Sequence, residues 1–288
     1  MKMKVYKKWI ITPENKKNYD KISKDEWLSI YNKEKKRAEI EYLNWENNYS
    51  TKKYTNVWSM TKDKYLLKFI LKEVELNSGI EKILIPGCGS MTNLQKFLHN
   101  KLPNIKKILC TDISHNAIKQ AQSNTQRRYS NKIIYKKYDS CDFYDVPNEY
   151  FDMVIIVNSI LSENDIINRK ILSECYRILK KSGNLIGFFP SVFCIYEISF
   201  LEDKFSHYKD DYINIYKNKF YEKNQKSSQI FYTPLRLNRI FKEAGFKREK
   251  FELYFCDSDY FIKENDRIYE LGKSSDVCIW EFFVRLIK

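Results

Sequence analysis

Residues 83–94, ILIPGCGSMTNL, hold two of the chain's seven glycines, Gly87 and Gly89, between a short apolar run and a helical pattern. Glycine at such a place lets the backbone turn sharply and lets a ligand approach the main chain, while the free N–H groups of the helix start face its polar part. A GxG turn alone is also an ordinary strand-to-helix connection. A second feature adds chemistry: KKILCTD (106–112) ends in Asp112, 25 residues after Gly87. That is close to the roughly 20-residue offset at which a carboxylate reaches ribose hydroxyls in nucleotide-binding βαβ units. Asp112 or Ser114 also suits the N-cap of the helix that follows. Loop and carboxylate together point to an adenosine-type ligand. GCGSMT lacks the third glycine of GxGxxG, which argues against a nicotinamide or flavin site.

These residues need a scaffold that ends strands side by side. Short apolar runs alternate with helical segments from residue 82 onward: KILIP (82–86), a helix over 92–101, KKILCTD (106–112), a helix over 115–127 and KIIYKKYD (132–139). YFDMVIIVN (150–158), a helix over 164–181 and NLIGFFP (184–190) continue the rhythm. Buried strands separated by helices imply right-handed crossovers and a parallel sheet covered on both faces. The first 80 residues read as helical, with helices over 24–48 and 61–76, the second ended by Gly79. Residues 191–232 are an aromatic-rich insertion without a clear strand. A helix over 233–246 follows, with Thr233 as N-cap, Pro234 in its first turn and Gly245 as its stop. KFELYF (250–255) and VCIWEFFVRLI (277–287) read as final strands joined by the charged stretch 257–276.

The loop resembles motif I of the class I S-adenosylmethionine-dependent methyltransferases, an acidic residue, any residue, then GxGxG, with Gly87, Cys88 and Gly89 matching its core. Asp112 followed by ISHNAI, Asp139-Ser140, NEYFDMVIIVNSIL (148–161), ECYRILKKSGNLIGF (174–188) and FKEAGF (241–246) are similar to further segments of that superfamily. Ile85 stands where most members carry an acid, Met91 replaces the third glycine, and Lys181-Ser182-Gly183 replaces Pro-Gly-Gly. The resemblance implies an α/β, doubly wound, Rossmann-like seven-stranded sheet, parallel with an antiparallel last strand. Its domain would comprise residues 81–190 and 233–288, with residues 1–80 as a helical cap and 191–232 as a substrate lid. It implies S-adenosyl-L-methionine as cofactor, with Gly87, Cys88, Gly89 and Ser90 along its methionine portion and Asp112 on both ribose hydroxyls. Ile113 would pack on the adenine, Asp139 with the Ser140 N–H would read its edge, and Asn158 would lie beneath the sulfonium. Asp142 and Asp145 rival Asp139, and Asp152 reads as structural.

Methyl transfer from a sulfonium is an in-line displacement, so alignment is the main task and a base is needed only for a protonated nucleophile. The candidates are His207, the one imidazole in the insertion, and Tyr196, with Glu197, Tyr208 and Tyr212 competing. His99 and His115 read as surface or cap residues, and no His/Asp/Glu cluster has the spacing of a metal site. Aromatics of the insertion, with Trp27, Tyr31, Trp45 and Trp58, suit an amine, a hydroxyl compound or a planar ring as acceptor. The expected activity is methyl transfer to N or O of a small molecule; a macromolecular acceptor (protein lysine or RNA) and a non-catalytic cofactor-binding relative are the alternatives.

Composition bounds these readings. The chain's 288 residues carry a formal charge of +14, but 41 Lys stand against 10 Arg and residues 1–80 hold a net +7 of the excess. That is a diffuse basic surface with little of the bidentate phosphate grip Arg supplies, so a nucleic-acid partner is not favoured. With 43% hydrophobic residues the chain builds a sizeable core and is not intrinsically disordered. Seven cysteines without a CxxC pair read as free thiols of a reducing, cytoplasmic compartment. No signal peptide or membrane-spanning run is expected.

Overall fold

In the computed structural model, residues 36, 39–40, 42–50, 59–162, 165–194, 213–214, 218–222, 227–269 and 279–288 are described. A seven-stranded sheet has the order β3-β2-β1-β4-β5-β10-β9. The strands are β1 (Lys82–Pro86), β2 (Lys107–Asp112), β3 (Ile133–Lys137), β4 (Phe151–Val157), β5 (Leu179–Pro190), β9 (Lys247–Cys256) and β10 (Ile279–Ile287). β1 to β5 pair in parallel, and β10 runs antiparallel to both β5 and β9.

Both faces of the central strands are apolar, as a sheet buried on two sides requires. Ile83, Ile85, Met153, Ile155, Ile186, Phe188 and Phe283 look to one face. There they meet α1 (Lys64–Glu75), α2 (Asn93–Lys101) and α3 (His115–Ser123) through Leu66, Ile70, Leu94, Leu98 and Ile118. Leu84, Val154, Ile156, Leu185, Phe282 and Val284 look to the other, against α4 (Asp165–Ile178) and α5 (Pro234–Glu243) through Leu172, Cys175, Leu237 and Phe241. The doubly wound, Rossmann-like sheet with its antiparallel last strand is therefore present as expected.

Caps set the helix ends. Asp63 accepts the Leu66 N–H at 2.7 Å at the start of α1, and Thr233 accepts the Arg236 N–H at 3.2 Å at the start of α5. Gly245, at φ 95°, turns the chain after α5. Several expected bounds move. The helix expected over 164–181 stops at Ile178, and β5 begins at Leu179, with Ser182 rather than Gly183 taking positive φ, at 61°. The helix expected over 115–127 stops at Ser123, and a separate 3-10 turn spans Arg127–Tyr129.

Two corrections are larger. Within residues 191–232, β6 (Ile213–Asn214), β7 (Lys219–Glu222) and β8 (Ser227–Ile230) form a three-stranded antiparallel sheet. The stretch 257–276 holds α6 (Asp259–Tyr269), whose Phe261 reaches the core. Of the helix expected over 24–48, the described part is helical and runs on to residue 50.

β10 carries two buried acids or bases on one face. Arg285, 4% exposed, pairs with Glu73 of α1 at 2.7 Å, and Lys250 of β9 holds the other Glu73 oxygen at 2.8 Å. Burial would raise the Glu73 carboxyl, but Lys250 and Arg285 outweigh it and hold the group below its usual range. The second charge is Glu281.

Candidate functional site

β1, β2 and β4 end together, and hydrogen bonds gather their loops. The Cys88 N–H donates to the Thr111 carbonyl at 2.8 Å, the Tyr138 N–H to the Asp112 carbonyl at 3.0 Å, and the Ser159 hydroxyl to the Pro86 carbonyl at 2.9 Å. Gly87 to Ser90, Asp112, Ile113, Asp139, Ser140 and Asn158 thus share one edge of the sheet. Gly87 (φ 63°) and Gly89 (φ 59°) are left-handed, where a side chain is strained. A Cβ on Gly87 would lie 2.3 Å from Ser159 Cβ, and one on Gly89 would lie 2.6 Å from the Tyr49 hydroxyl.

Asp112, 7% exposed, is held from both sides: Oδ2 accepts the Gly89 N–H and Oδ1 the Ser114 N–H, each at 2.9 Å. Each oxygen keeps a lone pair for a further donor. Burial pushes this carboxyl up to about 6, against the pull of the Ser114 and Gly89 N–H groups. The helix cap is Ser114, whose Oγ accepts the Ala117 N–H at 3.1 Å and donates to Glu46 at 2.7 Å. Glu46 also takes the Asn116 N–H at 3.1 Å, so a carboxylate from the helical stretch 42–50 closes the positive end of α3. The neighbouring Cys110, and then burial, push the Cys88 thiol well above its usual range, so it stays protonated.

Asp139 Oδ1 accepts the Cys141 N–H at 2.9 Å and shapes its own turn. Of its rivals, Asp145 binds Lys136 and the Tyr138 hydroxyl, while Asp142 donates its N–H to the Asp139 carbonyl at 2.9 Å. Asp152 takes the Glu81 and Lys82 N–H groups at 3.0 and 2.8 Å and pairs with Lys180, the structural role expected of it.

Asn158 sits at φ 46°, a conformation asparagine tolerates, with its N–H on the Phe188 carbonyl at 3.1 Å. Its Nδ2 donates to Glu281 Oε1 at 2.9 Å and lies 3.2 Å from the Met60 sulfur. Glu281, 3% exposed, is the residue that sequence reasoning passed over. Its signal was an acid inside the apolar run WEFFVRLI, whose other charge is Arg285. Thr111 Oγ1, Asn158 Oδ1, Trp280 Nε1 and Glu281 Oε2 are shut from solvent without a hydrogen-bond partner among the described residues.

His207 and Tyr196, with Glu197, Tyr208 and Tyr212, lie outside the described residues, as do Trp27, Tyr31 and Trp58. His99 packs edge-on against Tyr129, ring centres 5.0 Å apart, and His115 is exposed at the start of α3. Among the described residues no three His, Cys, Asp or Glu are grouped to hold a metal ion, and no helix is long and apolar enough to cross a membrane. Cys88, Cys110 and Cys175 are free thiols.

Residues 84–187 match the family model of a methyltransferase domain. No curated protein matches the chain. Among solved structures, an S-adenosylmethionine-dependent methyltransferase from Methanosarcina mazei is 15% identical, with a TM-score of 0.54 over 75% of this chain and 96% of that one. One from Mesorhizobium loti is 14% identical, with a TM-score of 0.53 over 77% and 98% of the two chains. The [4+2]-cyclase SpnF is 16% identical, with a TM-score of 0.53 over 78% and 80%. At such identities the likeness is one of fold, and the third match shows that the fold carries more than one chemistry. The matched span runs from β1 to β5 and contains the glycine loop, Asp112, Asp139 and Asn158, so the candidate site lies within the part of the chain that is similar to a methyltransferase domain.

Proposed function

We propose that this enzyme moves a methyl group from S-adenosylmethionine to a nitrogen or oxygen of a low-molecular-weight acceptor. The observation that carries the reading is the stretch 42–50 lying directly on the glycine loop and on the start of α3. Tyr49, 3% exposed, meets Gly89, and Glu46 binds Ser114 and Asn116. A loop covered in this way favours an acceptor small enough to enter beneath the cover. Residues 1–80 then act as a cap, and the insertion 191–232 as a lid, over a domain of residues 81–190 and 233–288.

The residues at the strand ends fit the cofactor. Asp112 offers two carboxylate oxygens with spare lone pairs, which matches a ribose diol, and the Thr111 hydroxyl is a buried polar group in want of a partner. Gly87 to Ser90 would lie along the methionine portion, Ile113 on the adenine face, Asp139 and the Ser140 N–H at its edge, and Asn158 near the sulfonium. When bound, the cofactor supplies an electrophilic methyl group whose transfer disperses positive charge. The chain's own work is to fix the cofactor and the acceptor in line, and such alignment supplies much of the rate. The free thiols of Cys88, Cys110 and Cys175 accord with a reducing, cytoplasmic setting.

The test is transfer of isotope-labelled methyl groups from S-adenosylmethionine into a cell lysate, followed by separation by size. Label in the low-molecular-weight fraction supports the reading. Label confined to protein or RNA replaces it with the macromolecular one.

A further inference from the structure

Glu281 has no task in the scheme above, yet it lies beside Asn158. On β10 it stands opposite Pro190, the last residue of β5, and opposite Tyr254 of β9, at the edge where the parallel strands end. Asn158 belongs to the same edge, since the next residue, Ser159, binds the Pro86 carbonyl just before the glycine loop. One contact, Asn158 Nδ2 to Glu281 Oε1, joins the two side chains.

Two acceptor atoms are left over. Glu281 Oε2 and Asn158 Oδ1 are both closed to solvent and have no partner among the described residues. Arg285, four residues along β10, shows how this chain treats a buried structural charge: it is matched by Glu73, which Lys250 also holds. Among the described residues no cation pairs with Glu281. A buried carboxylate without a cation is unfavourable, and a well-packed apolar side chain would be more stable there. Burial pushes its carboxyl up to about 8, so in the empty site it holds a proton near neutral pH, and only a bound cation favours its charged form.

Two acceptors with no donor between them complement a group that brings several N–H donors and a positive charge. Building on the methyl-transfer reading, we propose that Asn158 and Glu281 bind the amine of the acceptor, which makes the enzyme an N-methyltransferase of small primary or secondary amines. The entering ammonium displaces to solvent the proton that Glu281 holds in the empty site, and the resulting carboxylate takes one proton from the bound ammonium and frees its lone pair. The N–C bond forms as the methyl carbon's bond to sulfur breaks, and that bond's electron pair passes to sulfur, which becomes neutral. The product leaves as the methylated ammonium, and Glu281 returns its proton to solvent. Met60, whose sulfur lies 3.2 Å from Asn158 Nδ2, sets the turn at residues 59–63 against the Asn158 amide. That turn is held by Tyr260 on Ser59 at 3.0 Å and by Ser258 on Asp63 at 2.9 Å.

The test uses the full chain with S-adenosylhomocysteine and two matched pairs of probes, tyramine against tyrosol and benzylamine against benzyl alcohol. Binding is measured by NMR titration, which needs no turnover. Each amine is expected to bind at least ~10-fold tighter than its alcohol, and Glu281→Gln is expected to remove that preference. Affinity of the variant for S-adenosylmethionine, measured by calorimetry, reports that it is folded. Amines and alcohols binding alike, or an amine preference that survives in a folded Glu281→Gln, overturns the amine site. Label from S-adenosylmethionine entering small acceptors that carry no amine overturns it too, and leaves the small-molecule reading standing. Label entering macromolecules alone removes the small-molecule reading and this proposal with it.

Discussion

Asp112 and Glu281 are both buried carboxylates, but their surroundings give them different pH behaviour. Asp112 is steadied by two N–H groups and sits at about 6. Losing its charge removes the better acceptor for a ligand diol, so S-adenosylmethionine affinity should fall as pH drops through 6, as calorimetry at pH 5 and pH 7.5 would show. Asp112→Ala should weaken that affinity by ~100-fold or more, since two hydrogen bonds to a charged group go at once; unchanged affinity would refute the assignment. Glu281 sits at about 8, above its usual 4.5, so the folded state holds a proton that the unfolded chain releases. Stability from this residue is greatest below about pH 4.5 and declines as pH rises towards 8. Glu281→Gln has no such ionisation and should be more stable than the parent by roughly 3 kcal/mol at pH 7, with the gap closing by pH 4. Urea denaturation at the two pH values checks this.

The elements differ in how openly the sequence announces them. β1 and β2 are continuous apolar runs flanked by turns, and α5 begins on Thr233-Pro234, so pattern and capping chemistry agree and the bounds fall nearly where expected. The short strands β6 to β8 carry Lys, Tyr, Glu, Ser and Asn, and they are defined by pairing with each other, which periodicity does not display. α6 sits in a charged stretch whose apolar residues are few, of which Phe261 finds the core. At the site, the glycine loop and Asp112 were legible because strand, turn and acid follow one another along the chain. Glu281 was not, because its meaning depends on Asn158, 123 positions away. The tie between β10 and α1 gives a prediction at this scale. Arg285→Met leaves the buried Glu73 with Lys250 alone and should cost ~3 kcal/mol in urea denaturation, while a further Glu73→Leu should recover much of the loss.

Across the whole molecule, the charge of +14 and the candidate site have little to do with each other. Among the described residues the charged side chains that the site brings together are acids, Asp112, Asp139, Glu46 and Glu281. RNA of mixed sequence should therefore bind only in the weak, non-specific range at physiological salt, and filter binding across a salt series checks it. A tight complex would reopen the macromolecular reading. The contact between Gly87 and Ser159, 2.3 Å once a Cβ is built, has a consequence for descent. It bars any side chain at position 87 whether or not a ligand is present, because the obstacle is the protein's own β4 loop. A descendant that had lost all activity would still be obliged to keep Gly87, while Asp112 would be free to drift. In telling living enzymes from silent copies of this fold, the acid at the end of β2 is the informative position and the first glycine is not.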